Sequence, residues 1–270
     1  MDELSLLRVV VRFPKRIQQR VLLLLSESFA FVLGLLVGSF LNVCICRLPG
    51  RKSIAWPGSA CPACGAALKP RDLVPVASYV ALRGRCRYCS ARISPQYPLV
   101  ELITGVFFAL TMAAFGPTIT SLCWSAFISL LIVACFADIN TGLIPNSITY
   151  PGIAAGLIFS LFVPQSSFAF SLIGLIVCGG VVWIVGTASR GGMGGGDVKL
   201  MAMVGAFLGW KLGLLVLFAG SLFGAIVGIA RIASGKQKRR DPMPFGPFLA
   251  IAGALSVYFG HLALRLLGWE

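Results

Sequence analysis

Residues 28–46 read SFAFVLGLLVGSFLNVCIC, and Arg47 follows. These 19 residues carry no charge. As a helix they would be about 28 Å long at 1.5 Å per residue, close to the ~30 Å hydrocarbon core of a bilayer. The run ends on a basic residue and not on a small-residue cleavage site, so it reads as a retained span and not as a removable signal peptide. Outward from it, seven more apolar runs recur at 99–115, 119–137, 143–163, 168–187, 198–210, 212–230 and 246–267. The expected fold is therefore an all-α polytopic membrane protein with about eight transmembrane helices. Composition agrees. Of 270 residues, 57% are hydrophobic and only 12% charged, with a mean hydropathy of +0.90. A water-soluble core cannot hide so much apolar surface beneath so few charges.

The net charge of +14 rests on 23 Lys and Arg against nine acids. In a membrane chain this excess marks loops kept on the cytoplasmic side and facing anionic lipid, and no nucleic-acid partner is expected. The loop after the first run carries Arg47, Arg51, Lys52, Lys69, Arg71, Arg83, Arg85, Arg87 and Arg92. The loop after the seventh carries Arg231, Lys236, Lys238, Arg239 and Arg240. Both follow odd-numbered runs, so both belong on one side, expected to be cytoplasmic. Asp138 and Asp197 follow the third and fifth runs and fall on that same side.

Four regions follow from this pattern: an N-terminal segment 1–27, a first span 28–46, a polar subdomain 47–98, and a membrane core 99–270. Two features strain it. Arg8, Arg12, Lys15, Arg16 and Arg20 fall on the outer side; either the segment is interfacial or the first boundary is misplaced. The sixth run, 198–210, is only about 20 Å long. Either it is re-entrant or it starts below the membrane surface, and the second choice lets the 231–240 loop stay cytoplasmic. That choice puts Asp197 within the depth of the bilayer.

The polar subdomain holds Cys61-Pro-Ala-Cys64 and Cys86-Arg-Tyr-Cys89. Two CxxC pairs separated by 21 residues lie just outside the usual range for a four-cysteine zinc site. Four thiolates close a tetrahedral shell, and a small polar loop with little apolar core needs such a staple. Two disulfides are the other reading; a cytoplasmic loop argues against them. Cys44, Cys46, Cys123, Cys135 and Cys178 sit in apolar runs and read as small packing residues.

Gly194-Gly195-Gly196-Asp197-Val198-Lys199 places an acid at the start of a span. Asp is a favoured N-cap after a glycine turn, yet an acid inside a membrane is functional by default. The glycines also let another backbone approach closely, and the P-loop GK[ST] signature is absent. Asp138 closes the third run, in Ala137-Asp138-Ile139-Asn140-Thr141-Gly142. Two carboxyls brought together share a proton, so one serves as base toward water while the other protonates a scissile carbonyl. Glu101, near the start of the second run, is the remaining candidate acid, with ion-pair or packing duty an equal alternative. His261 is the only histidine, which excludes a Ser-His-Asp triad and an HExxH metalloprotease.

With these motifs in hand, the chain resembles the bifunctional type IV prepilin peptidases. Gly38-Ser39-Phe40-Leu41-Asn42-Val43, ending in Arg47-Leu48-Pro49, resembles that family's opening motif. Ser78-Tyr79, Leu82-Arg83-Gly84 and Tyr97-Pro98-Leu99-Val100-Glu101-Leu102 frame the cysteine pairs as they are framed there. Gly192-Met193-Gly194-Gly195-Gly196-Asp197-Val198-Lys199-Leu200 resembles the family's GxGD motif, Gly205 to Trp210 follow it, and Pro244-Phe245-Gly246-Pro247-Phe248-Leu249 resembles its last-span motif. The resemblance implies an aspartic peptidase of the bacterial inner membrane, with its active site facing the cytoplasm. It would cut the leader from prepilins and pseudopilins of type IV pilus or type II secretion systems after a glycine. It would then N-methylate the new terminus with S-adenosyl-L-methionine. Asp138 and Asp197 map onto the family's catalytic pair. Relatives often carry Asp two and eight positions after the first acid, where this chain has Asn140 and Asn146. A peptidase without methylation and, in another class, a proton-coupled transporter are the rival readings.

Overall fold

The computed structural model describes residues 15–162, 167–189, 193–235 and 243–269. Arg8, Arg12, Lys236, Lys238, Arg239, Arg240 and Gly192 lie outside these ranges. The helices, in chain order, are α1 (Lys15–Arg47), α2 (Ala77–Ala81), α3 (Gln96–Phe115), α4 (Ile119–Thr141), α5 (Asn146–Phe159), α6 (Phe168–Ala188), α7 (Gly195–Ala233) and α8 (Gly246–Leu266). Among the described residues no extended strand forms, and six helices are long and apolar enough to cross a membrane. Two differences reconcile six with eight. At 14 residues α5 is too short to count as a span, and α7 is two segments in one run.

The α7 break is at Gly209, whose φ of 75° and ψ of 177° belong to no helix. The chain reverses there. Before the break, α7 runs alongside α5, with Met203 against Gly152 and Phe207 against Gly156. After it, Gly213 comes back beside Gly205 and Cys178, and Gly220 and Gly224 pack on Leu249 and Phe248 of α8. A straight helix would separate residues 205 and 213 by about 12 Å along its axis. The first segment is termed α7a and the second α7b. The seventh run therefore returns antiparallel to the sixth, which keeps the start of α7a and the end of α7b at one end of the bundle.

The other boundaries moved for local reasons. The α1 helix is continuous from Lys15, well before residue 28. The α5 helix begins at Asn146 and not at 143, because Gly142 (φ 65°) ends α4 in the left-handed region and Pro145 (φ −66°, ψ 133°) holds the link extended.

Inside a bilayer, helices gain little from hiding apolar surface, so close backbone approach and buried hydrogen bonds decide their pairing. The α6 helix shows the first. Ser171, Gly174, Cys178, Gly179 and Val182 form its buried stripe, at helical spacing, while Ile173, Ile176, Trp183 and Ile184 face outward. Gly174 lies so close to Gly205 and Gly209 that neither side has room for a β-carbon. The second appears between α3 and α8, where the Thr111 and Tyr258 hydroxyls bond at 2.8 Å, worth about 0.6 kcal/mol in such a setting. The α1 and α3 helices run antiparallel, Gly34 against Gly105 and Gly38 against Glu101. The core is centred on α7a, whose residues 200–209 are all buried. The outward faces of α1, α6 and α7b are rows of exposed Leu, Ile, Val and Phe. This is a multi-pass membrane protein.

Gly209 has both a left-handed φ and the Phe170 ring where a β-carbon would stand. Gly209→Ala is expected to lose about 1–3 kcal/mol from the backbone alone, with repacking of Phe170 added. Thermal unfolding of the detergent-solubilised protein measures this, and Gly180→Ala, in open space, should leave the midpoint unchanged.

Candidate active site and cysteine cluster

The site lies at the end of the bundle where α4 stops and α5, α7a and α8 start. Asp138 is in the last turn of α4, and the Gly142 N–H closes that turn on the Asp138 carbonyl at 2.8 Å. Asp197 is in the first turn of α7a. Both side chains are buried, at 6% and 9% exposure. The backbone holds each of them. Gly246 N donates to Asp138 Oδ2 at 2.9 Å, and Gly194 N donates to Asp197 Oδ2 at 3.1 Å. Gly246 opens α8, so its N–H has no partner within its own helix, and the following Pro247 has none to offer. The positive end of α8 thus points at the Asp138 carboxylate. Neither acid has a cation partner among the described residues. The sequence-predicted pair lies at one end of the bundle, with Ile144 against both Gly196, next to Asp197, and Gly246, which bonds Asp138.

Ile144 is the spacer between them. It touches both Gly196, the residue before Asp197, and Gly246, which holds Asp138. Beside it, Lys199 Nζ donates to Asn146 Oδ1 at 2.8 Å and lies 5.4 Å over the Tyr150 ring. One lysine therefore ties the start of α5 to the start of α7a. Gly246, Ile144 and Lys199 were not singled out from sequence as site residues. The signals for Gly246 were its place before a proline at a span start and within the last-span motif of residues 244–249.

Glu101 is not part of this site. Its Oε2 accepts from Val76 N at 2.8 Å. It fastens the polar segment between α1 and α3 to the α1/α3 pair. Asn42, on the same seam, donates to the Tyr97 carbonyl at 3.0 Å.

The four predicted cysteines also meet. The sulfurs of Cys61, Cys64, Cys86 and Cys89 all lie within 4.8 Å of one another, and all four are free thiols. Tetrahedral zinc with Zn–S of about 2.3 Å sets sulfurs about 3.8 Å apart, and Cys61 and Cys89 are 3.9 Å apart. A disulfide needs about 2.05 Å. The two knuckles are built alike. Gly65 N and Ser90 N return to the Cys61 and Cys86 carbonyls, and Cys61 N and Cys86 N reach Ala66 and Ala91. The backbone N–H groups of Cys64 and Ala63 pull the Cys61 thiol down to about 6, so it is ready to ligate as thiolate near neutral pH. The donor set fits a tetrahedral metal. Asp72 holds the second knuckle, accepting from Arg87 Nε at 2.7 Å and from Tyr88 Oη at 3.0 Å.

Comparison with known proteins adds family membership. Residues 32–115 match a family model described as the bacterial peptidase A24 N-terminal domain, and residues 125–229 match the type IV leader peptidase family. The chain belongs to this family. It is 39% identical over 274 residues to a Burkholderia pseudomallei protein named prepilin leader peptidase/N-methyltransferase, covering 89% of this chain and 88% of that one. Relatives of the same name come from Bacillus subtilis, 36% identical over 86% of this chain and 94% of theirs, and Pseudomonas aeruginosa, 35% identical over 90% and 95%. No solved structure matches the chain.

Arg87 beside Asp72 holds its carboxyl below the usual carboxylate range. A depressed folded-state pKa gives stability that is complete above the ordinary Asp value, about 3.9, and is lost as pH falls through the folded value. Amide exchange in 85–92 should therefore stay slow at mildly acidic pH and rise only well below that range. In Asp72→Asn it should be faster above that range, and the two proteins should converge once Asp72 of the parent is protonated.

Proposed function

We propose that this membrane protein is an aspartic endopeptidase that removes the leader from prepilins and pseudopilins and N-methylates the new terminus. Asp138 and Asp197 would be its catalytic pair. The observation that carries the reading is the meeting of two buried acids at one end of the bundle, each steadied by a backbone N–H and neither neutralised by a cation. The names of its relatives support the substrate class. The basic loops at this same end support a cytoplasmic site in the bacterial inner membrane.

Each carboxyl keeps its Oδ1 without a hydrogen-bond partner among the described residues. With one proton between them, the ionised acid takes a proton from water and the protonated acid donates to the scissile carbonyl. Water oxygen bonds to the carbonyl carbon, the C–N bond breaks, and the leaving amine takes up a proton. The Gly246 and Gly194 N–H groups hold the acids in place. Ile144 fills the space between their anchors and keeps it apolar, and Lys199 fixes the α5 start from which Ile144 hangs. The glycines before Asp197 leave room for an extended substrate backbone. S-adenosyl-L-methionine supplies the methyl group in the second reaction, and no constellation among the described residues marks its seat.

Zinc is the metal we assign to Cys61, Cys64, Cys86 and Cys89. Structural zinc contributes about 10–16 kcal/mol of apparent binding energy in small peptides at neutral pH. The 48–95 segment buries few apolar side chains beyond Cys61 and Cys86, so the metal is its main source of order. Purified protein should hold about one zinc per chain, and Cys61→Ser should lose it and speed proteolysis of that segment. Zinc-free protein whose four thiols alkylate freely in the folded state would refute the assignment.

Asp138→Asn and Asp197→Asn should each abolish leader cleavage, and the double variant should be scarcely worse, since the pair acts as a unit. Cleavage by the parent should follow a bell-shaped pH profile with limbs belonging to the pair. Pre-cleaved pilin should still be methylated by either single variant. Mass spectrometry of pilin N-termini reads both reactions, and near-normal cleavage by either well-inserted variant would return these acids to a structural role.

A further inference from the structure

The segment after α1 ends in an apolar tip that no other part of the described fold covers. Ile54, Ala55, Trp56 and Pro57 are all exposed, Trp56 at 79%. Yet the tip is firmly built. Arg47 Nη1 donates to the Ser53 carbonyl at 3.0 Å, and its Nη2 donates to the Gly58 carbonyl at 3.1 Å. Ser53 Oγ accepts from Ala55 N at 3.3 Å and Trp56 N at 3.2 Å. Both feet of the tip thus rest on one guanidinium, and Arg47 is the last residue of the membrane helix α1. The tip must stand where α1 leaves the hydrocarbon.

Charge selects the neighbour. Arg51 and Lys52 are exposed just before the tip, and residues 47–60 contain no acid. Basic residues flanking an exposed tryptophan at membrane-surface level suit an interface bearing anionic headgroups, where indole is amphipathic and at home. A second apolar patch on the same subdomain, Leu73, Val74 and Val80, is exposed at 40–66%. It surrounds Val76, whose N–H is tied to Glu101 in the second turn of α3. It too is held level with the start of a membrane helix.

We propose that Ile54–Pro57 is an interfacial anchor that sets Trp56 among lipids with anionic headgroups and so holds the four-cysteine subdomain against the bilayer. This does not rest on the peptidase reading. The anchor and Glu101 give the subdomain two attachments, one to lipid through the tip and one to protein through Val76.

The test uses the full chain in phosphatidylcholine vesicles, with and without phosphatidylglycerol. Subtracting the fluorescence of Trp56→Phe from that of the parent isolates the Trp56 signal. Quenchers are lipids with brominated acyl chains and, from the water side, acrylamide. The Trp56 signal should be quenched by brominated lipid, roughly twofold more strongly with phosphatidylglycerol present, and be shielded from acrylamide. Arg51→Ala with Lys52→Ala should remove the phosphatidylglycerol enhancement while metal content stays unchanged. Ile54→Trp in the Trp56→Phe background moves the reporter along the tip and should give the same pattern. A Trp56 signal quenched by acrylamide and indifferent to brominated chains overturns the proposal. So does one shielded only when an apolar pilin-segment peptide is added, which would make the tip a peptide-docking surface.

Discussion

A carboxylate within the depth of a bilayer is kept there only if something other than water holds its oxygens. In this protein the holders are two backbone N–H groups, Gly246 for Asp138 and Gly194 for Asp197. A lysine or arginine in their place would hold the acids more strongly, but it would fix both as carboxylates and remove the proton sharing that the proposed reaction needs. The basic side chain nearest in sequence, Lys199, is instead occupied by Asn146 and the Tyr150 ring. Much of the architecture at this end follows from that requirement. The α8 helix must begin beside the end of α4, and a small residue must open it, because a β-carbon on Gly246 would meet the Asp138 carboxyl.

The short helices beside the site follow from a separate constraint. The α5 and α7a helices are both 14 residues long, about 20 Å, and they lie parallel to each other, with Gly152 and Gly156 against Met203 and Phe207. Their longer neighbours α4 and α6 flank them. Both short helices begin at the site and stop short of the length needed to cross a bilayer about 30 Å thick. Gly209 makes this possible by turning the chain back where the phenyl ring of Phe170 fills the missing β-carbon's place.

Much of this was legible from sequence, for identifiable reasons. Apolar run length reports directly on membrane spans, so the positions of α3, α4, α6 and α8 could be read closely. The paired CxxC spacing signalled the cysteine cluster, and side parity put Asp138 and Asp197 at one end. What stayed hidden depends on backbone atoms or on chance encounters in space. No residue type announces that Gly246 will offer its N–H to an acid 108 positions earlier. Glu101 looked like a possible site acid because composition cannot show that its partner is the amide of Val76. The length of α5 was misjudged because Leu143 and Ile144 are as apolar as a helix would want, while Gly142 and Pro145 on either side fix them as an extended link.

The burial of α7a bears on how the chain enters the membrane. With residues 200–209 enclosed by protein and too few residues to span the hydrocarbon, α7a has little reason to remain in lipid by partition alone. Its retention depends on α5, α6 and α7b being present around it. The tight reversal at Gly209 joins it to α7b as a hairpin. The segment that carries Asp197 is thus placed by assembly and not by its own hydropathy, and the acid takes up its membrane position only as the bundle closes around it.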